Sequence, residues 1–576
     1  MNPNRYAVRN AAMSFLAAIV FLMLTCEPLA EAETVHRFGR FEATFEATGR
    51  THAAATDDAA IRQGATGPHR GVYEIEMNAE EDLGNPYFDV TFQVEFARPN
   101  GTTVFVDGFY DGERTFRARA YCDTPGEWTY RTKSNLNSLN AGKGAFTVYA
   151  SDLPGKLRIH PDDPRQFAYD NGTWFLHIGD TGYRYVVSSE PRWREYIDEA
   201  AAAGFTKIRT WFAQSRSTVE ALYTRNRSGL ALDYWQEIER RVRYALTQHP
   251  HIILQLIPYA EDTGELIRYG QGDRLSQFIV RYAQARWSAF PNIHWEISND
   301  RHIVTQPDLG KLRGREISDR VIKQIGGDMK KREPWGTLIT NQQARSMGYS
   351  FVAEPWSDII TLEDLDQVGG EIVLEYRRKG CDPVVLDEDR YENYRDPANP
   401  RYFFRRFMWA NLLSGGHATY GGLRTYEPYD GGPIRGVQGY YTSNRRGALS
   451  QGAHDYIHIH AFFRETDLTL VGMEPGDSLI GDDPLQAKCI HDEDAYIIYA
   501  PNPDCDTPGT DNPRIEKPNV KVRLPPGSFS VRWFNPRLGT WEQETMISGG
   551  GLRRLEPPKT PRTAYQDWVI LIQRKS

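Results

Sequence analysis

Residues 252–300 read IILQLIPYAEDTGELIRYGQGDRLSQFIVRYAQARWSAFPNIHWEISND, and this stretch contains one strand–helix–strand unit. The runs 252–258 and 293–298 are short, apolar and rich in β-branched residues, which predicts two strands. The segment 274–290 between them is predicted to be helical. Strands that alternate with helices in this way indicate βαβ units and a parallel sheet.

The same alternation continues on both sides of this unit, over residues 158–476. Six further candidate strands are residues 174–178, 207–211, 337–340, 359–362, 384–387 and 418–420. Further helices are predicted at 192–203 and 234–248. Eight strands and seven or eight helices in a region of about 320 residues predict a (β/α)8 barrel. A doubly wound sheet is the alternative, but no glycine-rich phosphate loop follows the first strand.

Two β-rich regions flank the predicted barrel. Residues 33–152 contain alternating runs such as FDVTFQVEF at 88–96, separated by turn signals, and predict an all-β sandwich. Residues 480–576 contain strand-like runs at 495–499, 520–524, 529–534 and 567–572, and predict a smaller β-sandwich. The fold class is therefore a multidomain α/β and β protein.

The first 32 residues have the pattern of a secretory signal peptide. Arg5 and Arg9 precede an apolar run at 11–24, and Ala30-Glu31-Ala32 provides a small-residue cleavage site. The run is shorter than the roughly 20 residues that span a bilayer, although an uncleaved anchor is the alternative. No later segment is apolar enough to span a membrane. We expect a secreted or periplasmic protein.

Charge and cysteine content exclude several other classes. The net charge of −8 and the isoelectric point of about 6.0 argue against a nucleic-acid partner, which requires a basic surface. The four cysteines after the signal segment form no Cys-x-x-Cys pair, which disfavours a zinc ribbon or a redox motif. Cys489 and Cys505 could pair in an exported protein. The oligomeric state is not indicated.

Carboxylates follow several of the predicted barrel strands. Asp180 follows the first strand, Asn299 and Asp300 the fourth, and Glu388 the seventh. The active sites of such barrels lie at the carboxyl ends of the strands. Glycosidic cleavage needs two opposed carboxyl groups, one as an acid and one as a nucleophile or base. Asp300 and Glu388 are the candidate pair. Rim salt bridges or helix N-caps are the alternative roles.

Two other groups of residues are weaker candidates for a functional site. Trp211, Phe212, Trp356 and Tyr426 lie near strand ends or in rim loops, where they could stack on a sugar or fill the core. His454, His458 and His460 approach a metal-binding spacing, but the sequence lacks the Glu of His-Glu-x-x-His. We therefore predict neither a metal nor another cofactor. The absence of Gly-x-Ser-x-Gly disfavours a serine esterase.

Four motifs resemble strands of apiosidase-like glycoside hydrolases. They are FLHIGDTGYR at 175–184, IHWEISNDR at 293–301, DPVVLDEDRYE at 382–392 and GHATYG at 416–421, similar to the first, fourth, seventh and eighth strands. The N-terminal region resembles an Ig-like domain often fused ahead of such barrels. VRWFNPRLG at 531–539 resembles a C-terminal β domain of the collagen-binding type.

The resemblance implies a retaining glycosidase that acts on a poly- or oligosaccharide. It implies Asp300 as the acid/base and Glu388 as the nucleophile, with Asp180 on sugar hydroxyls in the innermost subsite. It implies that four further residues line or brace the pocket: Tyr391, Glu392, His417 and Tyr420. Their positions at strand ends also place Tyr259, Asn299 and Trp211 among the predicted substrate-binding residues.

The sequence departs from the family pattern at two places. Ser298-Asn299 replaces the usual Gly-Gly before the acid, and Tyr183 stands where Trp is common. The substrate of the family is therefore not carried over. Two other functions compete with a glycosidase: a non-catalytic carbohydrate-binding or adhesion protein on a barrel scaffold, and a metal-dependent hydrolase that uses the histidines.

Overall fold

A computed structural model gives the fold of most of the chain. It describes residues 66–183, 185–186, 190–213, 220–260, 264–299, 317–343, 348–363, 369–388, 401–421, 453, 455–481, 487–501, 520–558 and 567–575. The predicted signal segment, residues 1–32, lies outside the described residues. Within them, no helix combines the length and the apolar character that a membrane crossing requires.

The N-terminal region forms two packed β-sheets, as predicted. One sheet has the strand order β1-β8-β7-β3-β4 and the other β2-β6-β5. The strands are β1 Thr66–Pro68, β2 Val72–Asn78, β3 Phe92–Ala97, β4 Thr103–Asp107, β5 Phe109–Gly112, β6 Thr115–Tyr121, β7 Gly126–Ser134 and β8 Lys143–Tyr149. Alternate residues of β3 and β7 are buried, and aromatic rings fill the space between the sheets. Tyr73 stacks on Phe146 with ring centroids 3.6 Å apart.

The central region is a nearly closed barrel of eight parallel strands. In chain order they are β11 Ile178–Asp180, β12 Lys207–Trp211, β13 Ile253–Ile257, β14 Ile293–Glu296, β15 Ile339–Thr340, β16 Ile360–Glu363, β17 Val384–Glu388 and β18 His417–Tyr420. β15 and β16 meet through the Asp358 N–H, which donates to the Ile339 carbonyl at 2.9 Å. The predicted (β/α)8 barrel is confirmed.

Helices pack around the outside of the barrel. The described helices of this region are α1 Arg192–Ala202, α2 Leu232–Gln248, α3 Glu265–Gly270, α4 Arg274–Trp287, α5 Asp319–Arg332, α6 Glu371–Arg377, α7 Arg401–Leu413 and α8 Tyr456–Thr466. α4 illustrates why they form: Asp273 accepts a bond from the Ser276 N–H at the first turn, which satisfies one backbone donor. The buried residues of α4 recur at helical spacing, and some of them, such as Tyr282, contact the N-terminal sandwich.

A short hairpin closes the amino-terminal end of the barrel. Its strands are β9 Leu157–Ile159 and β10 Phe167–Tyr169, which pair antiparallel. Their apolar side chains form one buried cluster with residues at the start of barrel strands, such as Ile253 and Val385. This hairpin blocks the amino-terminal end, so the carboxyl ends of the strands form the opposite, functional end.

The C-terminal region is a second β domain. Its strands are β19 Glu474–Pro475, β20 Lys488–His491, β21 Ala495–Ala500, β22 Lys521–Leu524, β23 Ser528–Asn535, β24 Thr540–Trp541, β25 Thr545–Ser548, β26 Gly551–Arg554 and β27 Trp568–Lys575. Five of these strands, β20, β21, β22, β23 and β27, share one apolar core that includes Trp533 and Trp568. Arg405 of α7 donates to both carboxylate oxygens of Asp567 at 2.6 and 2.7 Å, which anchors the domain to the barrel. Cys489 is a buried free thiol, and Cys505 lies outside the described residues.

Candidate active site

Charged and polar side chains fill the interior of the barrel. Lys207 and Arg209 alternate along β12 and point inward, and both are buried. Lys207 donates to the Asp387 carboxylate and, at 3.2 Å, to the Thr419 hydroxyl. A Cβ at Gly179 would lie against the Thr419 hydroxyl and 3.1 Å from Lys207 Cδ. The missing side chain at Gly179 therefore makes room for Lys207.

Glu388 ends strand β17 and is 6% exposed. Three side chains donate to its Oε2 atom: Arg209 Nη1 at 2.7 Å, Gln342 Nε2 at 3.1 Å and the Tyr183 hydroxyl. One donor lies within β12, and the other two lie just after β11 and β15. The orientation of the carboxylate is therefore determined by the closed barrel and not by its own strand alone.

Arg209 bridges two carboxylates. Its Nε and Nη2 atoms donate to both oxygens of Glu296 at 2.7 and 2.6 Å, while Nη1 contacts Glu388. Burial alone would lower the pKa of Arg209, but the Glu296 charge raises it well above its ordinary value. The guanidinium therefore stays charged beside Glu388.

Further hydrogen bonds connect Glu296, the partner of Arg209, to a third carboxylate, Asp387. Gln255 donates to Glu296 and, at 2.6 Å, to Asp387. Burial raises the pKa of Glu296 to about 7, against the lowering effect of Arg209. Burial would also raise the pKa of Asp387, but Lys207 and Arg209 together lower it below its ordinary value. Glu296 is therefore the carboxylate of this pair that takes up a proton first.

We call Lys207, Arg209, Glu296, Asp387 and Glu388 the buried charge cluster. Three carboxylates face two cations in it, so the fully ionised cluster carries one excess negative charge. A proton on Glu296 balances that charge. The cluster is consistent with the rule that buried charges are paired and hydrogen-bonded.

Two aromatic rings form a wall beside Glu388. Tyr183 stacks on Trp211 with ring centroids 4.0 Å apart and planes 11° apart. Trp211 Nε1 donates to Asn299 Oδ1 at 3.0 Å. This chain of contacts links the end of β12 to the residue that precedes Asp300. The structure thus brings Trp211 and Asn299, two predicted site residues, to the same end of the barrel as Glu388.

Two predicted substrate-binding residues point away from the barrel interior. Asp180 accepts a hydrogen bond from the Tyr196 hydroxyl of α1. Tyr420 packs against Phe404 and Tyr456, with the Phe404 ring centroid at 5.0 Å. Because Gly179 and Thr419 face the interior, their neighbours Asp180 and Tyr420 face the helices.

Tyr259 also points into the helical layer. Its hydroxyl donates to the Ser276 carbonyl of α4 at 2.7 Å, and its ring lies 6.0 Å from that of Tyr269. The side chain is buried. These contacts place Tyr259 in the packing between the barrel and α4, and its contact with substrate stays a prediction.

His417 lies at the opposite end of the barrel from Glu388. It is the first residue of β18, and its Nε2 atom is 3.2 Å from the Arg165 carbonyl. Its ring lies 4.9 Å from Phe167 of the closing hairpin. The motif GHATYG does coincide with the eighth strand. His417, however, lies at the amino-terminal end of that strand, whereas the substrate is expected at the carboxyl end.

Several predicted residues lie outside the described residues, and their roles stay predictions. They are Asp300, Tyr391, Glu392, Tyr426 and His454. Of the other two histidines of that segment, His460 contacts the Gly204 carbonyl at 2.6 Å through Nε2. Among the described residues, no group of three or more His, Cys, Asp or Glu side chains is arranged to hold a metal ion.

Sequence reasoning did not identify Arg209, Glu296 and Gln342 as site residues. The signal for Arg209 was available, because Lys207 and Arg209 alternate within a strand whose residues are otherwise suited to burial. Glu296 lies four residues before Asp300 in the same motif. Gln342 follows the short strand β15 and carries no comparable signal in the sequence.

Comparison with known families agrees with this geometry. The model of the apiosidase-like catalytic domain matches residues 161–469, just over half of the chain. The chain belongs to the apiosidase-like family. It is accordingly a glycoside hydrolase, and the match covers the whole described barrel. Residues 70–135 match a domain of unknown function, DUF5060, which covers most of the N-terminal sandwich.

Solved structures share the fold of this apiosidase-like protein. A candidate glycoside hydrolase from Bacteroides vulgatus ATCC 8482 aligns with a TM-score of 0.67 at 20% identity, over 89% of this chain and 100% of that one. A family 5 glycoside hydrolase from the same organism aligns with a TM-score of 0.56 at 15% identity, over 73% of this chain and 94% of that one. No curated protein is significantly similar in sequence.

Proposed function

We propose that this protein is an exported, retaining glycoside hydrolase that cleaves glycosidic bonds in a polysaccharide or its side chains. Glu388 is the nucleophile and Asp300 the acid/base. The observation that carries the proposal is the Glu388 carboxylate at the functional end of β17, held on one oxygen by Arg209, Gln342 and Tyr183.

The surroundings of Glu388 suit a nucleophile. A carboxylate that attacks an anomeric carbon must be ionised and aimed, and the adjacent Arg209 guanidinium provides a permanent positive charge. The hydrogen bonds to Oε2 restrict rotation of the carboxylate, which lowers the entropic cost of reaching the reactive geometry. The alternative role of a rim salt bridge does not require donors from three different parts of the barrel.

Asp300 is proposed as the acid/base from its place in the chain. It follows Asn299, which Trp211 holds at the end of β14. In the first step Glu388 attacks the anomeric carbon while Asp300 protonates the departing oxygen. In the second step Asp300 deprotonates a water molecule, which displaces Glu388 and releases the sugar. Retention requires the two carboxyl groups to be about 5–5.5 Å apart, against about 6.5–9.5 Å for inversion.

The test measures sugar release from a panel of plant, algal and bacterial polysaccharides. The wild type is compared with Asp300→Ala, Glu388→Ala and the control Glu371→Ala, which removes an exposed carboxylate at the start of α6. We expect Glu371→Ala to match the wild type and Glu388→Ala to fall to background. We expect Asp300→Ala to lose roughly 10²–10⁴-fold, the usual contribution of a general acid. Equal activity of all four proteins would contradict the assignment.

Reaction with azide distinguishes the catalytic roles of the two carboxylates. In Glu388→Ala an added azide ion can occupy the vacated position, attack the anomeric carbon and yield a glycosyl azide of inverted configuration. In Asp300→Ala azide attacks the glycosyl-enzyme and yields the retained configuration. Anomeric proton couplings in an NMR spectrum distinguish the products. The reverse pattern would exchange the two roles.

Export is proposed from residues 1–32. The mature protein, recovered from the medium or the periplasm of an expressing bacterium, is expected to begin at residue 33. Recovery of the full-length chain from the membrane fraction would instead support an uncleaved anchor.

A further inference from the structure

A pocket lies between the N-terminal sandwich and the barrel helix α4, outside the ring of barrel strands. Its volume is about 220 Å³. Tyr87, Phe92, Tyr110 and Phe278 provide aromatic surface. This is smaller than the roughly 300–1,000 Å³ of sites for drug-sized ligands, and it suits one sugar ring.

The aromatic side chains of this pocket are held in place by contacts between the N-terminal sandwich and the barrel region. Tyr87 makes edge contacts with Tyr110 and Phe278, at centroid distances of 5.3 and 6.2 Å. The Tyr87 hydroxyl donates to the Leu230 carbonyl at 2.9 Å, and the Tyr282 hydroxyl donates to the Tyr110 carbonyl at 2.7 Å. Rings that are fixed before binding lose little conformational freedom when a ligand arrives.

Planar polar groups form another part of the pocket lining. Gln93 Nε2 donates to Asp107 Oδ1 at 2.8 Å, and Arg281 Nε lies 3.5 Å from Asp107 Oδ2. Gln93 and Arg281 are exposed, so both can turn toward a ligand. An amide, a carboxylate and a guanidinium together donate to and accept from neighbouring hydroxyl groups. Apolar rings beside such groups match a sugar, whose C–H face is apolar and whose edge carries hydroxyls.

We propose that this pocket is a second carbohydrate-binding site, which holds one residue of a polysaccharide outside the catalytic end of the barrel. The proposal rests on the proposed function only for the class of ligand. It assigns a role to the region that matches the domain of unknown function, because Tyr87, Gln93, Asp107 and Tyr110 belong to that region. A protein surface that docks on the pocket is the competing occupant.

Affinity electrophoresis of the full chain tests the pocket. Native gels contain soluble xyloglucan, galactomannan, arabinogalactan or alginate, and retardation relative to a gel without polysaccharide gives the dissociation constant. All proteins carry Glu388→Ala, so that the polymer is not degraded. The pocket variants are Gln93→Ala/Arg281→Ala and Phe278→Ala. The control is Arg131→Ala, an exposed arginine of the same sandwich that lies outside the pocket.

We expect at least one polysaccharide to retard the parent and the Arg131→Ala control equally. Both pocket variants should bind it at least 10-fold more weakly, with unchanged thermal unfolding. The proposal is overturned if no polysaccharide retards the parent, or if the Gln93→Ala/Arg281→Ala variant is retarded as strongly as the parent. Because the readout is binding, loss of retardation in the pocket variants supports the pocket even if the wild type hydrolyses nothing. Hydrolysis without pocket-dependent retardation refutes the pocket alone.

Discussion

At the scale of single residues, the barrel interior is characterised by buried charges that pair with one another. Arg209 contacts Glu388 and Glu296 at once, and Gln255 connects Glu296 to Asp387. Glu296 and Asp387 are fully buried, so their ionisation depends on their neighbours more than on solvent. Glu296 stands apart, because burial raises its pKa to about 7 despite the opposing charge of Arg209. The network therefore changes its charge near neutral pH.

Glu296→Gln tests this titration through stability. The pKa of Glu296 is raised on folding, so between about pH 4.5 and 7 the folded chain binds a proton that the unfolded chain has released. Stability from this group is complete below about pH 4.5 and is lost as the pH rises toward 7. We expect the free energy of unfolding of the wild type to fall relative to Glu296→Gln over that window. Urea unfolding at a series of pH values measures it, and parallel curves would contradict the assignment.

At the scale of secondary structure, most strands of the barrel were predicted close to their observed bounds. The segment 207–211 was predicted with the bounds that the structure shows, and 384–387 differs by one residue. The first strand was placed too early, at 174–178, whereas β11 runs Ile178–Asp180. The hairpin of β9 and β10 was not predicted, because two three-residue strands produce too short an alternation to detect.

Gly179→Ala tests how closely β11 packs inside the barrel. The new methyl group would lie against the Thr419 hydroxyl and 3.1 Å from Lys207 Cδ. Since both neighbours are buried, we expect a loss of about 1–3 kcal/mol in the free energy of unfolding. The matched control is Gly327→Ala in α5, where the methyl group meets no atom within 4 Å. It should gain about 0.5–1 kcal/mol from helix propensity. Equal effects in urea unfolding would contradict the packing argument.

At the scale of the whole molecule, buried ion pairs join the N-terminal sandwich to the barrel. Arg119 of β6 donates to Glu239 of α2 at 2.9 and 2.7 Å and to Glu74 of β2 at 2.7 Å. Burial would raise the pKa of Glu239, but Arg119 and Arg286 lower it well below its ordinary value. The contact therefore persists from neutral pH down to strongly acidic pH, and the sandwich is a fixed part of the enzyme.

Arg119→Met tests this junction. It removes a buried cation that contacts both Glu74 and Glu239. Arg117, Arg243 and Arg286 still pair with these carboxylates, so we expect the free energy of unfolding to fall by about 1–3 kcal/mol. The control Arg98→Met breaks a more exposed pair with Asp123 inside the sandwich and should cost up to about 1 kcal/mol. Calorimetry of both variants measures the effect. Similar melting temperatures for Arg119→Met and the wild type would show that the junction contributes little.

The order of strands and helices was determined by the sequence itself, because periodicity and turn residues are local properties. The same local pattern placed Glu388 and Asn299 at strand ends and identified the family. Which face of each strand a side chain occupies was decided by the tertiary structure. Strands of a barrel are buried on both faces, so an apolar run does not reveal that Asp180 and Tyr420 point toward helices.

Closure of the barrel also decided which side chains from distant parts of the chain contact one another. Tyr183 and Glu388 are 205 residues apart, yet the tyrosine hydroxyl donates to the carboxylate. Arg209 meets Glu296 and Glu388 because closure of the barrel points side chains of β12, β14 and β17 into one interior. A sequence shows which residues can carry charge. The pairing of those charges, and with it the setting of the proposed nucleophile, follows from which strands become neighbours across a closed ring.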